Sequence, residues 1–160
     1  MTTEEMMADD KIRVVVEEAL DDTGYVLSVE VALTTTDGQA KKATATYYLV
    51  YGINVRSTKD MDGAAQADKE VAVKKTGMYR VQLAPNASRT TAIEKGDLVG
   101  VIDAGKIGSM IDSPAYTDLG TPTNAKINKY IHAIVGKAEE AIGAGADTDD
   151  GKLLVSLGLP

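Results

Sequence analysis

The sequence predicts a mainly β fold, and three observations support that prediction. At least six runs either alternate apolar and polar side chains or are rich in β-branched residues. Turn signals that contain glycine or aspartate separate these runs. The chain has no Phe and no Trp, so its core would be filled by Val, Ile, Leu and Ala. We therefore predict a flexible N-terminal arm of residues 1–10, which are acidic and aperiodic, followed by a single β-rich domain of residues 11–160.

The clearest element is a hairpin in the middle of the chain. Its two apolar runs, residues 98–102 and 106–111, are separated by Asp103-Ala104-Gly105. Gly105 can adopt a positive φ without steric cost, and Asp103 can hydrogen-bond to its own backbone. The β-branched residues on both sides suit a pleated, half-buried surface. Two antiparallel strands are therefore expected here.

Other runs extend the predicted sheet on both sides of this hairpin. Residues 25–33 and 43–51 are expected to be two strands of a second hairpin, with a turn signal at Asp37-Gly38. Residues 70–74 and 78–83 are predicted to form a third hairpin. Residues 152–157 are predicted to be a closing strand.

The remaining segments are loops and one ambiguous stretch. Residues 56–68 are predicted to be a loop with room for one helical turn, and residues 113–122 a loop interrupted by Pro and Gly. Residues 125–142 fit two structures. Their apolar residues recur with a helical period, whereas the β-branched run at 130–135 and Gly136 favour a strand.

Composition excludes several classes of protein. Acidic residues outnumber basic ones by 24 to 17, and the resulting net charge of −7 argues against nucleic acid or an anionic membrane as a partner. No run approaches the roughly 20 apolar residues that cross a bilayer. The acidic N-terminus differs from a secretion signal, which is basic and then apolar. The absence of Cys excludes disulfides and thiolate metal sites.

No motif indicates an active site. His132 is the only histidine, so a histidine-rich metal site is excluded. Residues 100–107 match a phosphate-binding loop except at Ile107, where the magnesium-binding hydroxyl is required. Residues 147–151 resemble a calcium loop, but the twelfth position is Gly158 and not the required Glu. We predict no catalytic, cofactor-binding or metal-binding residue and no cofactor, so the protein is not expected to be an enzyme.

Four segments together resemble a known family. They are Ile-Glu-Lys-Gly-Asp-Leu-Val-Gly at 93–100, Gly-Lys-Ile at 105–107, Ile-Val-Gly-Lys-Ala-Glu-Glu-Ala-Ile at 134–142 and Lys-Leu-Leu-Val-Ser-Leu at 152–157. In combination they are similar to the C-terminal half of the capsid decoration (cement) proteins of tailed viruses, over about residues 70–159. The predicted strands in the N-terminal half have no counterpart in that family. The matching residues are mostly turn and core positions: Gly96, Asp97, Val99, Gly136, Ala138, Glu140 and Ala141.

The resemblance implies a fold and a function. It implies a β-tulip-like domain or small β-barrel, trimeric in several family members, that binds major capsid subunits and stabilises the icosahedral shell. It also implies a strand across residues 130–142, which we adopt as the prediction. The expected location is the capsid surface of the virion, after synthesis in the host cytoplasm, with the major capsid protein as partner. A small β-barrel that binds a ligand or acts as an adaptor is the alternative.

Two further expectations concern contacts between chains. A small domain with seven Tyr must place several rings at its surface, which favours self-association as a homotrimer. The β-branched residues that follow the arm could add an edge strand to a neighbouring chain. Alternatively, residues 11–18 are the first strand of their own domain. If the arm does not hold the capsid, the loops at 56–68 and 113–122 are the next candidates.

Overall fold

Strands dominate the computed structural model, which describes residues 15–16, 18–30, 32–33, 40–41 and 48–158. The mainly β prediction is therefore confirmed. The strands of the described residues are β1 (Val15–Val16), β2 (Val26–Glu30), β3 (Ala32–Leu33), β4 (Ala40–Lys41), β5 (Tyr48–Asn54), β6 (Lys69–Glu70), β7 (Val73–Lys74), β8 (Gly77–Gln82), β9 (Leu98–Asp103), β10 (Lys106–Ser109), β11 (Ile134–Ala138) and β12 (Lys152–Leu157). The helices are α1 (Pro114–Thr117) and α2 (Asn124–Ala133), with 3-10 turns at Asn86–Ser88 and Met110–Asp112.

The larger sheet has five antiparallel strands in the order β10-β9-β11-β12-β8. Its β9–β10 pair is the hairpin predicted at residues 98–111, with Lys106 opposite Asp103 across the turn. Gly105 has a φ of 70° in that turn, as the prediction required. The predicted second strand ends early, because Met110–Asp112 turns away as a 3-10 helix.

The smaller sheet has the order β2-β5-β7. The antiparallel pairing of β2 with β5 confirms the hairpin predicted from residues 25–33 and 43–51. The β3–β4 pair belongs to the same segment, whereas the Asp37-Gly38 turn lies outside the described residues. A separate ladder joins β1 to β6. Residues 15–16 therefore pair within their own chain, and the predicted arm at 1–10 lies outside the described residues.

The edges of the larger sheet approach each other at one point. Leu83, which directly follows β8, forms a parallel bridge with Ile107 of β10. The Ala84 backbone N–H donates to the Ile107 carbonyl oxygen at 2.9 Å. The ladders of the described residues do not close further into a barrel.

The main core lies between the two sheets. Val81, Val99, Leu153 and Val155 of the larger sheet are completely buried and form one cluster with Val26 and Ile53 of the smaller sheet. Branched aliphatic side chains supply most of this cluster, as the composition predicted. Tyr79 is only partly buried and packs against the edge of this cluster.

The third predicted hairpin is wrong. Residues 73–74 pair with β5 and residues 77–82 pair with β12, so the two segments lie in different sheets. The ladder of β5 continues past its end, because the Val55 N–H donates to the Ala72 carbonyl oxygen at 2.9 Å. Pairing with β12 buries Val81 opposite Leu153, which a two-residue partner such as β7 could not do.

The strand predicted across residues 130–142 is also wrong in part. Helix α2 ends at Ala133 and β11 follows directly, since the backbone changes to an extended conformation at Ile134. Residues 139–142 lie beyond β11, with one bridge between Ile142 and Ile93. The helical period was thus the correct signal up to Ala133, and Gly136 marks the strand that follows.

The two predicted loops also differ from expectation in detail. Residues 113–122 contain α1, which begins at Pro114 because the Ser113 hydroxyl accepts a hydrogen bond from the Ala115 N–H. Residues 56–68 contain no helical turn. Instead, Lys59 and Ala65 form a β-bridge across a tight turn.

Candidate binding surface

No catalytic arrangement is evident in the described part of the chain. It contains no group of three or more His, Cys, Asp or Glu residues that could hold a metal ion. His132 lies on α2 beside apolar residues, and the calcium-like residues 147–151 form a turn before β12. Residues 100–107 are the β9–β10 hairpin and not a strand, loop and helix, so they lack the context of a phosphate-binding loop.

A bidentate ion pair supports the larger sheet. The Arg80 guanidinium donates to both carboxylate oxygens of Asp150, at 2.6 and 2.8 Å, and to Glu140 at 3.0 Å. Arg80 holds the pKa of the Asp150 carboxyl well below its usual range. Glu140 also accepts the Leu154 N–H at 2.9 Å, so all its contacts connect neighbouring segments. Each of these three charged side chains has a structural partner. This argues that they stabilise the sheet, and it argues against a role for them in acid–base chemistry.

A second carboxylate anchors the segment between β10 and β11, residues 110–133, which we call the helical insert. Asp112 accepts hydrogen bonds from the Thr90 and Thr91 hydroxyls at 2.6 and 3.0 Å and from the Thr91 N–H at 2.9 Å. Partial burial would raise the pKa of Asp112, but these hydrogen bonds outweigh it and lower the pKa. The beginning of the helical insert is therefore held to Thr90 and Thr91, in the loop between β8 and β9.

The helical insert is also packed onto the sheet. Met110, Ala115 and Ala133 are buried and form a small cluster against Leu98, Tyr130 and Ile134. Close approach depends on Gly100, where a Cβ atom would lie 2.1 Å from the Met110 Sδ and 2.5 Å from the Ala133 carbonyl oxygen. The Thr123 side chain accepts the Lys126 N–H and begins α2. The insert is thus fixed at both ends.

The outer side of the insert exposes large apolar residues. Ile127 and Ile131 are one helical turn apart and remain 41% and 39% exposed. Tyr116 of α1 is 45% exposed, and its ring centroid lies 6.3 Å from that of Tyr130. We call the three exposed residues, Tyr116, Ile127 and Ile131, the helical face. A fixed apolar surface of this kind marks a contact with another molecule more often than scattered single residues do.

A cavity of about 400 Å³ adjoins the helical face at Ile131. It lies between β5 and β7 on one side and the end of α2 with β11 on the other, and we call it the groove. Its apolar lining is supplied by Val50, Ile53, Ile131, Ile134, Val135 and Leu157. Its polar lining comes from Tyr51, Lys74, Lys75 and His132. The Lys75 Nζ lies 3.9 Å from the centroid of the Tyr51 ring.

The loop at residues 56–68 presents an exposed apolar side chain outside the insert. Met61 is fully exposed at its tip. Asp60 orders the loop, because its carboxylate accepts the Ala64 N–H at 2.9 Å, the Asp62 N–H at 3.0 Å and the Gln66 side-chain amide at 2.8 Å. The first of these bonds is the main cause of the lowered pKa of Asp60. This candidate attachment loop is therefore well ordered.

The residues that carry the family resemblance serve the sheet. Gly96 has a φ of 93° in the turn before β9, where the Asp97 carboxylate accepts the Glu94 N–H at 2.9 Å. Val99 and Ala138 are buried. Gly136 packs so closely that a Cβ atom would lie 2.0 Å from the Ser156 carbonyl oxygen. Glu140 joins Arg80, and Ala141 is exposed and not a core residue.

Sequence reasoning missed the helical face and the groove. The helical spacing of Ile127 and Ile131, together with a capping Thr123 after Pro122, was the available signal for α2. The groove had no such signal, because its walls come from four separate parts of the chain. Together, the helical face and the groove offer an apolar surface beside two cations, Lys74 and Lys75.

Comparisons of the chain with protein-family models, with curated proteins and with solved structures give no match. Within the described ranges, no helix combines the length and the apolar composition that crossing a membrane requires.

Proposed function

We propose that this protein is a structural virion protein that decorates and stabilises the icosahedral capsid of a tailed virus by binding its major capsid subunits. The supporting observation is the helical face, a fixed apolar surface on a β-rich scaffold. The resemblance of residues 70–159 to the decoration proteins supports the identity of the partner. Its matching residues fall mostly in the larger sheet and its turns, which fits a shared fold and leaves the helical insert for contacts.

The anchoring of the insert supports a binding role. Asp112, Thr123 and the buried Met110 hold the helices before any partner arrives. A surface that is ordered in advance loses little conformational entropy on binding. In a homotrimer, three linked copies of the helical face would bind neighbouring sites of the repetitive shell together, with a combined affinity above that of a single contact.

Two finer features belong to the same proposal. The bridge between Leu83 and Ile107 supports a small barrel or β-tulip-like form of the larger sheet. The exposed Tyr116 and the two exposed isoleucines of α2 support self-association as a homotrimer. Light scattering of the purified protein would test the second feature, and a monomer at high concentration would contradict it.

Capsid binding is tested with shells assembled from the major capsid protein of the virus whose genome encodes this chain. Wild-type protein is expected to sediment with the shells, and Ile127→Asp with Ile131→Asp to reduce the bound fraction at least ten-fold. Met78→Asp is the control, because Met78 is 60% exposed on β8, outside the insert. Wild-type protein that stays in the supernatant would contradict decoration. Equal binding by the insert variant would show that the capsid contact lies outside the helical face.

The groove favours one alternative function, a small β-barrel module that binds a ligand. Its volume of about 400 Å³ is within the usual range for small-molecule sites, and its lining combines apolar residues with Lys74 and Lys75. An amphipathic anion would suit this lining. Screening fatty acids and aromatic carboxylates by thermal shift would test the module, and no stabilisation by any of them would contradict it.

A further inference from the structure

The groove differs in charge from the chain as a whole. The protein carries a net charge of −7. The described residues that line the groove include Lys74 and Lys75 but no Asp or Glu. Lys75 is exposed at the rim, and Lys74 is half-buried. Two cations beside an apolar floor suit a segment that offers carboxylates and apolar side chains together.

Residues 1–10 have that complementary composition. They contain Glu4, Glu5, Asp9 and Asp10 and no Lys or Arg, together with three methionines. Methionine is unbranched and adapts to irregular apolar surfaces, so it suits a floor built from several strands and a helix. This segment is also the most acidic stretch of ten residues at either end of the chain.

The register of β1 places its start close in sequence to the lysines of the groove. Val15 lies opposite Glu70 and Val16 opposite Lys69 in an antiparallel ladder. The first residue of β1 therefore lies next to Glu70, the end of β6 from which the chain continues to Lys74. Lys74 lies four positions after Glu70, at most about 13 Å of extended chain, whereas the residues before Val15 can span up to about 46 Å. Length does not prevent contact.

We propose that residues 1–10 bind in the groove of their own chain. The acidic side chains lie against Lys74 and Lys75, and Met6 and Met7 cover the apolar floor. The arm then acts as an internal ligand, and a partner with an acidic and apolar segment would have to displace it. This proposal stands independently of capsid binding, since it concerns the isolated protein.

Disulfide trapping tests the proposal in the full chain, which has no native Cys. Met7→Cys with Ile131→Cys is expected to form an intramolecular disulfide at least ten times faster than Met7→Cys with Met61→Cys. Met61 is a demanding control, because it is fully exposed on a loop whose Asp68 N–H donates to the Val16 carbonyl oxygen at 2.7 Å. A free arm would reach it readily.

Charge reversal of the arm supplies the second control. Replacing Glu4, Glu5, Asp9 and Asp10 by Lys is expected to reduce trapping at position 131 to the rate at position 61. Nearby cations lower the pKa of a thiol and raise its reactive thiolate fraction, so a slower reaction cannot come from thiol reactivity. Equal rates at the two positions, or trapping that survives the reversal, would overturn the proposal. Disulfide-linked dimers would also overturn it, because the occupant would then come from a second copy.

Discussion

The larger sheet and the helical insert use similar aliphatic side chains in opposite ways. In the sheet, Val81, Val99, Leu153 and Val155 have no exposed surface, whereas Ile127 and Ile131 of the insert keep about two fifths of theirs. Burying such a side chain completely contributes about 1.5–3 kcal/mol to folding. The insert leaves part of that energy unused in the isolated chain. Stability therefore resides mainly in the sheet, and apolar surface for contacts resides in the insert.

The division of roles between the sheet and the insert is tested most directly by shortening one side chain in each region. Leu153→Ala is expected to reduce the free energy of unfolding by about 3 kcal/mol, because it removes a completely buried side chain and leaves a cavity. Ile127→Ala should cost less than about 1 kcal/mol, since its side chain is 41% exposed. Urea denaturation measures both. Equal losses would contradict the division between the regions.

Close packing within the sheet can be tested by adding one methyl group. Gly136→Ala is expected to cost about 2–3 kcal/mol, because the new Cβ would meet the Ser156 carbonyl oxygen and separate β11 from β12. Gly143→Ala is the matched control, since its nearest neighbour would be the Ala146 Cβ at an ordinary 3.6 Å. Thermal denaturation should show a large fall only for the first. A small effect at Gly136 would mean that the strands separate without difficulty.

The polar anchor of the insert is expected to have a smaller, local effect. Asp112→Asn removes the charge from three hydrogen bonds and should cost about 1–2 kcal/mol. Amide hydrogen exchange should rise in α1 and α2 while β9 and β12 stay protected. Asp118→Asn, which loses an exposed contact with Lys129, is the control and should leave exchange unchanged. Faster exchange throughout the sheet would show that the insert is part of the core.

The smallest effect is expected at the exposed ion pair of the sheet, and it depends on pH. Asp150→Asn should cost about 1 kcal/mol at pH 7, the upper end for an exposed pair, because the Arg80 contact is bidentate. The folded pKa of Asp150 lies below its ordinary value of 3.8, so this stability is present at neutral pH and is lost as the pH falls below about 4. Denaturation of wild type and variant from pH 7 to 2 should show the difference closing. A constant difference would exclude the ionised pair as its source.

Local elements were predictable from the sequence, and distant pairings were not. The β9–β10 hairpin follows from two runs joined by Asp103-Ala104-Gly105, all within a few residues. The β2–β5 pair was recognised through its alternation. By contrast, Met78 pairs with Ser156, and no local signal distinguishes that partner from the nearer β7.

The error at residues 130–142 has a physical explanation. Ile131 and Ile134 are both β-branched, yet the first lies in α2 and the second in β11. Intrinsic strand preference is weak beside the helix cap at Thr123 and the packing of Ala133 against Met110 and Ala115 within the insert. The last residues of α2, 130–133, therefore lay inside a run that local preference assigned to one strand.

The position of β12 sets an order of events during folding. This strand lies inside the larger sheet, between β11 and β8, although Arg80 and the Lys152 it contacts are 72 positions apart. Until residues 152–157 have been synthesised, β8 lacks its neighbour and β11 has one open edge. Closing so long a loop slows folding, and the unpaired edges can meanwhile join other chains. A nascent chain that stalls before residue 152 should therefore depend on chaperones, however well its β9–β10 hairpin has formed.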